Sequence, residues 1–202
     1  MNRLQQIVLL ILFLPPFIIF AQKKENPIVF YELNLGRAIG PTTGWFGGGS
    51  LNYQFKNDLF TARYTNLTSY KYTGSFLGIL PNYAIVDDIH EYGILYGKRY
   101  TYDDHSFSYS VGFSYLNREF DPANASLSFQ KFEDENYFGF PFEVNLKFFK
   151  PERQRVRLYY LIPVGKPTSF GGSFGLKVIG NISKRSFLGL GFSYSFGWHK
   201  KY

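Results

Sequence analysis

The chain contains no cysteine. That excludes a disulfide-stapled fold and a lipid-modified N-terminal cysteine, and with only three histidines (His90, His105, His199) it removes most ligand sets for a structural zinc. Charge is scarce too, at 18% of 202 residues. Past residue 21 no stretch approaches the roughly 18 consecutive apolar residues of a helical span, and mean hydropathy is −0.16. Hydropathy alone would class the bulk of the chain as water-soluble, so any membrane anchor must come from the fold itself.

What is abundant is aromatic and small: 17 Tyr, 23 Phe and 20 Gly. Such aromatic content argues against disorder, and the length suggests one domain with or without a processed segment. The opening residues read as an export signal: Arg3 gives a positive start, Ile7 to Phe20 is almost wholly apolar, and Ala21 offers a small residue before Gln22-Lys23-Lys24-Glu25. The apolar run is about 14 residues, short of the roughly 20 a span needs, and Pro15-Pro16 interrupts it. The expectation is a signal peptide over 1–21 and a mature domain over 22–202.

That domain alternates. Successive side chains of a strand point to opposite faces, so a strand with one apolar side must alternate apolar with polar. From 106 to 115, Phe107, Tyr109, Val111, Phe113 and Tyr115 share one face, with serines and Gly112 on the other. Leu188, Leu190, Phe192, Tyr194, Phe196 and Trp198 do the same near the C-terminus, as do Phe138, Phe140, Phe142, Val144, Leu146 and Phe148. Weaker versions occupy 28–37, 45–56, 59–70, 89–102 and 169–182, giving eight segments long enough to cross a bilayer as tilted strands of about 9 to 11 residues.

A soluble sandwich would turn its apolar face inward and pack it with aliphatic residues, whereas a membrane barrel turns it outward. Here the apolar face is Phe- and Tyr-rich and the other is Ser- and Gly-rich, which suits a crowded lumen. In this register Glu32, Arg63, Glu91, Arg99, Glu143, Lys147 and Lys177 all point inward, where opposite charges can pair. The expected fold is therefore all-β, an antiparallel up-and-down transmembrane β-barrel of eight strands. Connections alternate as such barrels require, short at Lys56-Asn57-Asp58 and Asp103-Asp104 and long at 38–44, 71–88 and 119–136, the short ones periplasmic. Residues 150–168 complicate the count: Arg155 and Arg157 alternate with Val156 and Leu158, which reads as an extra hairpin arm or as two further strands of a ten-stranded barrel.

Tyr194, Phe196, Trp198 and Tyr202 resemble the C-terminal signal read by the barrel-assembly machinery. With the Ala21-Gln22 junction, Tyr96-Gly97-Lys98-Arg99-Tyr100 and Phe138-Gly139-Phe140-Pro141-Phe142-Glu143-Val144, the chain resembles small outer-membrane barrels of flavobacteria and their relatives. The resemblance implies fold and compartment, the cell outer membrane, and no catalytic residues.

Three segments invite a chemical reading. Asp87, Asp88, His90 and Glu91 could offer hard oxygens to a divalent cation at an outer loop end, but carboxylate pairs in loops are usually only solvated, and the expectation is an acidic loop rejoining a strand. His105 with Ser106 or Ser108 could suggest a lipid hydrolase, but falls at a periplasmic turn without a wider constellation. Gly47-Gly48-Gly49 and Gly189-x-Gly191 lie inside strands and open no helix, so neither is a phosphate loop. No catalytic, cofactor or metal site is expected. The net charge of +7 points to anionic lipopolysaccharide and outer-membrane lipid, because export makes nucleic acid remote. The expected role is structural or surface-interacting, with a side-chain-filled lumen. The alternatives are a narrow channel or small-ligand carrier, and an outer-leaflet lipid-modifying enzyme.

Overall fold

The computed structural model describes residues 28–76, 80–121, 133–152, 154–158, 162–168 and 170–199. The expected signal peptide and Tyr202 lie outside them. The strands are β1 (Ile28–Ile39), β2 (Gly44–Phe55), β3 (Asp58–Phe76), β4 (Leu80–Thr101), β5 (His105–Phe120), β6 (Glu133–Phe149), β7 (Gln154–Leu158), β8 (Ile162–Thr168), β9 (Phe170–Ile182) and β10 (Phe187–Trp198).

Eight of them close into a ring in the order β1-β10-β9-β6-β5-β4-β3-β2. Every neighbouring pair is antiparallel, and the seam runs from Phe30↔Gly197 to Ile39↔Leu188. Closure gives each strand two partners, so the ring has no edge along which the backbone goes unpaired. The end where β1 begins and β10 finishes is called the base, and the opposite end the rim.

Alternation sorts the side chains as the period requires. β10 alternates buried and exposed without a break, and its exposed positions are all apolar. The same inversion holds around the ring: Phe138 is 80% exposed, Ile94 75% and Phe113 73%, while Glu32, Arg63 and Lys177 are buried. The core is the lumen, and the polar face fills it.

At the base, β2 and β3 join through Lys56-Asn57, where Lys56 takes a left-handed φ of 54°. At the rim two expected loops prove to be largely strand. β3 and β4 stay paired as far as Phe76↔Leu80, with irregularities at Ser69/Tyr70 and Tyr72/Gly74, so 71–88 is a tall hairpin. Its tip-ward stretch hid from the pattern because neither face there is consistently buried: Tyr70, Tyr72, Tyr83 and Ile85 are all exposed. Likewise β5 and β6 pair up to Phe120↔Glu133, which narrows the expected 119–136 loop; 122–132 lie outside the described residues. The first connection also shortens, to 40–43.

Residues 150–168 do not add strands to the ring. β6 pairs directly with β9, from Phe140↔Ile182 to Phe149↔Ser173, and β7 with β8 form a separate two-stranded sheet. The reason is length: β7 has 5 residues and β8 has 7, against 12 in β10, too few at about 3.3 Å each to run the height of the wall. The arm leaves from the base.

Candidate functional site

The lumen is where this chain concentrates its chemistry. β1 contributes Glu32, β3 Arg63, β4 Glu91 and Arg99, β6 Glu143 and Lys147, and β9 Lys177, and all seven side chains are buried. Each sits between outward-facing neighbours on its own strand, so the pleat alone aims it inward.

Six of the seven form one chain of ion pairs across the lumen. Arg63 Nη2 reaches Glu91 Oε1 at 2.6 Å and Arg63 Nη1 reaches Glu143 Oε2 at 3.2 Å. Lys177 Nζ bridges Glu143 Oε2 at 2.9 Å and Glu32 Oε1 at 2.5 Å, and Lys147 closes on Glu32 Oε2. Neutral groups complete the shell: Asn145 Nδ2 donates to Glu32 Oε2 at 3.0 Å, and Ser195 Oγ accepts from Lys147 Nζ at 2.7 Å. Three carboxylates thus meet three cations, and a buried charge is tolerable only when so paired.

The seventh, Arg99, stands apart. Among the described residues it meets no carboxylate. Its Nη1 donates to Gln54 Oε1 at 2.7 Å and to the His199 carbonyl at 3.0 Å, its Nε and Nη2 both donate to Ser106 Oγ, and it lies 4.9 Å from the Phe30 ring centroid. It ties β4 to the end of β10 and caps the base. Beside it the His199 ring stacks on Phe149, with centroids 6.0 Å apart, and lies tilted by 45° against Phe30, with centroids 5.3 Å apart.

Toward the rim lies a layer that sequence reasoning missed. Ala38, Phe46, Leu67, Ile89, Leu116, Ile179 and Phe187 form an apolar cluster inside the lumen. Above it Arg118 binds Asp87 through two bonds, of 2.8 and 2.7 Å, and Thr42 Oγ1 donates to Asp87 Oδ2 at 2.7 Å. From base to rim, then, the interior passes through an aromatic cap, a charge network, an apolar plug and a polar lid.

The outer wall changes character at the same level as the plug. Tyr64, Tyr92, Tyr115 and Phe138 form one cross-strand row on the outside of β3 to β6. The next outward rows toward the rim are Asn66, His90, Asn117, Asn136 and then Thr68, Asp88, Glu119, Asp134. On β3 to β6 the wall below the tyrosine row is apolar outside and polar inside; in the two rows above it the outside turns polar while Leu67 and Ile89 enter the lumen beneath the Arg118–Asp87 pair. Leu67 and Ile89, each flanked by polar neighbours, and Leu116, which precedes Asn117, are the available signal for the plug.

This splits the cation candidate. Asp87 and Glu91 face the lumen and bind Arg118 and Arg63, while Asp88 and His90 face outward, where Asp88 Oδ1 accepts from Asn66 and Thr68 at 2.8 Å each. They sit within β4, not on a loop, and do not converge. The hydrolase candidate divides likewise: Ser106 and Ser108 are buried in the lumen, whereas His105 pairs with Asp104 at the base. Tyr194, Phe196 and Trp198 point outward from β10.

No family model matches the chain, and neither does any curated protein. Among solved structures it is similar to Neisserial surface protein A (NspA), at 11% identity over 87% of this chain and 99% of that one, with a TM-score of 0.51. It also aligns with the N-terminal β-barrel domain of Pseudomonas aeruginosa OprF, at 9% identity over 85% and 99% respectively, with a TM-score of 0.49. At such identity the likeness to NspA is one of fold: a closed, antiparallel, eight-stranded barrel.

Proposed function

We propose that this is an integral outer-membrane barrel, exported through residues 1–21, whose closed lumen serves stability and whose rim faces outward to meet the cell's surroundings. The observation that carries this reading is the inverted polarity of the wall. β10 presents Leu188, Leu190, Phe192, Tyr194, Phe196 and Trp198 outward, and at about 3.3 Å per residue and a tilt of about 40° that run stands about 25 Å tall, the height of a bilayer-facing band. A protein bathed in water would not expose that face while burying six paired charges.

The four interior layers argue against the channel reading, because side chains from facing walls meet in the middle: Glu32 on β1 reaches Lys147 on β6, and Arg63 on β3 reaches Glu143 on β6. The separation of His105 from Ser106 and Ser108 argues against the lipid-modifying enzyme. Exposed Arg37 near the rim suits the phosphates of lipopolysaccharide.

The test combines gel mobility and surface proteolysis on fractionated cells. Protein in the outer-membrane fraction that migrates differently before and after boiling, and is cut on intact cells only within 71–88 or 119–136, is the expected result. Soluble, unshifted protein overturns the reading. Purified protein in a planar bilayer should show no discrete conductance; steady single-channel steps would remove the closed-lumen part.

A further inference from the structure

Between the charge network and the apolar plug the inner wall carries a row of a different kind. Asn34 on β1, Gly48 on β2, Thr65 on β3 and Glu91 on β4 are successive cross-strand partners, so the closed ring sets them side by side. On the inner face Glu32 and Arg63 of the network lie one step toward the base from Asn34 and Thr65. Phe46, Leu67 and Ile89 of the plug lie one step toward the rim from Gly48, Thr65 and Glu91.

Asn34, Thr65 and Glu91 are only 6%, 1% and 1% exposed. Among the described residues, however, Asn34 Nδ2 and Oδ1, Thr65 Oγ1 and Glu91 Oε2 have no hydrogen-bond partner, and neither has Arg63 Nε beside them. Polar atoms are costly in an interior unless something hydrogen-bonds them. There is also room. Gly48 puts no side chain between Asn34 and Thr65, whose backbones stand two strand spacings apart, about 10 Å. Gly93, the inward neighbour of Glu91 on the base side, pairs with Arg63, and a Cβ built on it would meet Glu91 Oε1 and Leu95 Cδ1 at 3.4 Å, in ordinary contact.

The donors and acceptors select the occupant. Glu91 Oε2 only accepts, Arg63 Nε only donates, and the Asn34 amide and Thr65 hydroxyl do both. The Glu91 carboxylate already holds the Arg63 guanidinium at 2.6 Å, so an added cation would sit against Arg63 and an added anion against Glu91. A small neutral molecule that both donates and accepts meets the whole set. We infer that this row binds water, which bridges Asn34, Thr65 and Glu91 and is shut in between the plug and the charge network. The inference rests on the closed-lumen part of the reading above, because only a shut lumen holds such water for long. Buried water with roughly two to four polar partners is a structural component of a fold.

The test is nuclear magnetic resonance on the mature protein, deuterated and isotopically labelled, in phospholipid nanodiscs, with magnetisation transferred from water to the amides of Asn34, Gly48 and Thr65. Those amides lie within the ladders and exchange slowly themselves, so a cross-peak reports a neighbouring water. Cross-peaks of opposite sign in the laboratory and rotating frames, the mark of long-lived water, are expected. Thr65→Val, which keeps the shape of the side chain and removes its hydroxyl, should weaken them several-fold; the parent measurement decides alone if that variant does not fold. No cross-peaks in the parent overturn the inference and leave a closed but dry lumen. Cross-peaks of equal sign, from water in rapid exchange with bulk, overturn it together with the closed-lumen reading. Intensities unmoved by Thr65→Val show water held by other groups and overturn the site as assigned. Asn34 and Glu91 resonances that shift when sodium is replaced by rubidium give the site to a cation and likewise overturn it.

Discussion

Phe46 occupies, inside the lumen, the space that a side chain at Gly189 would need. A Cβ built on Gly189 would stand 2.7 Å from Phe46 Cε1 and 3.1 Å from Ile179 Cγ1. Gly191 stands in the same relation to the ring, with Phe46 Cζ 2.8 Å away. The nearly side-chain-free inner face of β10 is the socket for one phenyl ring from β2, and the apolar plug is seated through it.

Gly189→Ala should therefore destabilise the barrel by about 1–3 kcal/mol, the usual range for overpacking a filled interior. Phe46→Ala should cost about 3–5 kcal/mol through the cavity it leaves. Combined, the two should cost less than their sum, because the truncated ring no longer meets the new methyl. Urea unfolding of the folded barrel in lipid vesicles, run as a double-mutant cycle, checks this; strict additivity would refute the contact.

Lys177 bridges Glu32 and Glu143, so Lys177→Met strands a buried carboxylate. A loss of about 3–5 kcal/mol is expected for such a broken pair. Adding Glu143→Gln returns the network to two anions and two cations and should recover a substantial part. Unfolding midpoints of the three variants decide it, and a double variant no more stable than the single one would show that the charges act independently.

His199 lies beyond the last strand, buried at the base. Burial, together with nearby Lys147 and Arg99, pulls its imidazole down to about 3. Its Nε2 meets the Gly171 carbonyl at 3.0 Å, and Nδ1 has no partner among the described residues, so a second proton has nowhere to donate. The unfolded chain binds a proton near 6.5 and the folded one resists it, so this contribution is intact above 6.5 and fades as pH falls toward 3. At pH 4.5 the linkage is worth about 3 kcal/mol. His199→Gln should flatten the fall in stability between pH 7 and 4.5 relative to the parent, measured by the same unfolding assay.

By contrast, Asp58 accepts from Lys98 Nζ at 2.6 Å and from Tyr96 Oη at 2.5 Å, but both partners of the ion pair are partly exposed at the base. Asp58→Asn should change stability by less than about 1 kcal/mol. A larger loss in vesicles would show that the base is drier than its geometry implies.

Alternation exposed the ring because it is a local signal: Phe107 to Tyr115 and Leu188 to Trp198 each declare both faces within one strand. The same phase aimed the seven lumen charges inward. What it could not supply was anything that depends on a second strand. Glu32 and Lys147 come from distant parts of the chain, so their pairing belongs to ring geometry. Phe46, Leu67, Ile89 and Leu116 read in sequence as breaks in the pattern, because the expectation of a uniformly polar lumen had no place for apolar side chains within it. The tall β3–β4 hairpin hid for the opposite reason: beyond Tyr70 neither face is consistently buried, so no alternation is imposed.

The seam between β1 and β10 sets a condition on how the molecule is made. It joins Phe30–Ile39 to Leu188–Gly197, the two ends of the described chain, so the circle is whole only when the final strand has been synthesised and delivered. In the lipid setting proposed above, an unclosed sheet would carry two raw margins of amides and carbonyls, which hydrocarbon cannot solvate. Insertion one strand at a time would strand those margins in lipid, so in that setting the first and last strands would have to meet before either margin is exposed to it.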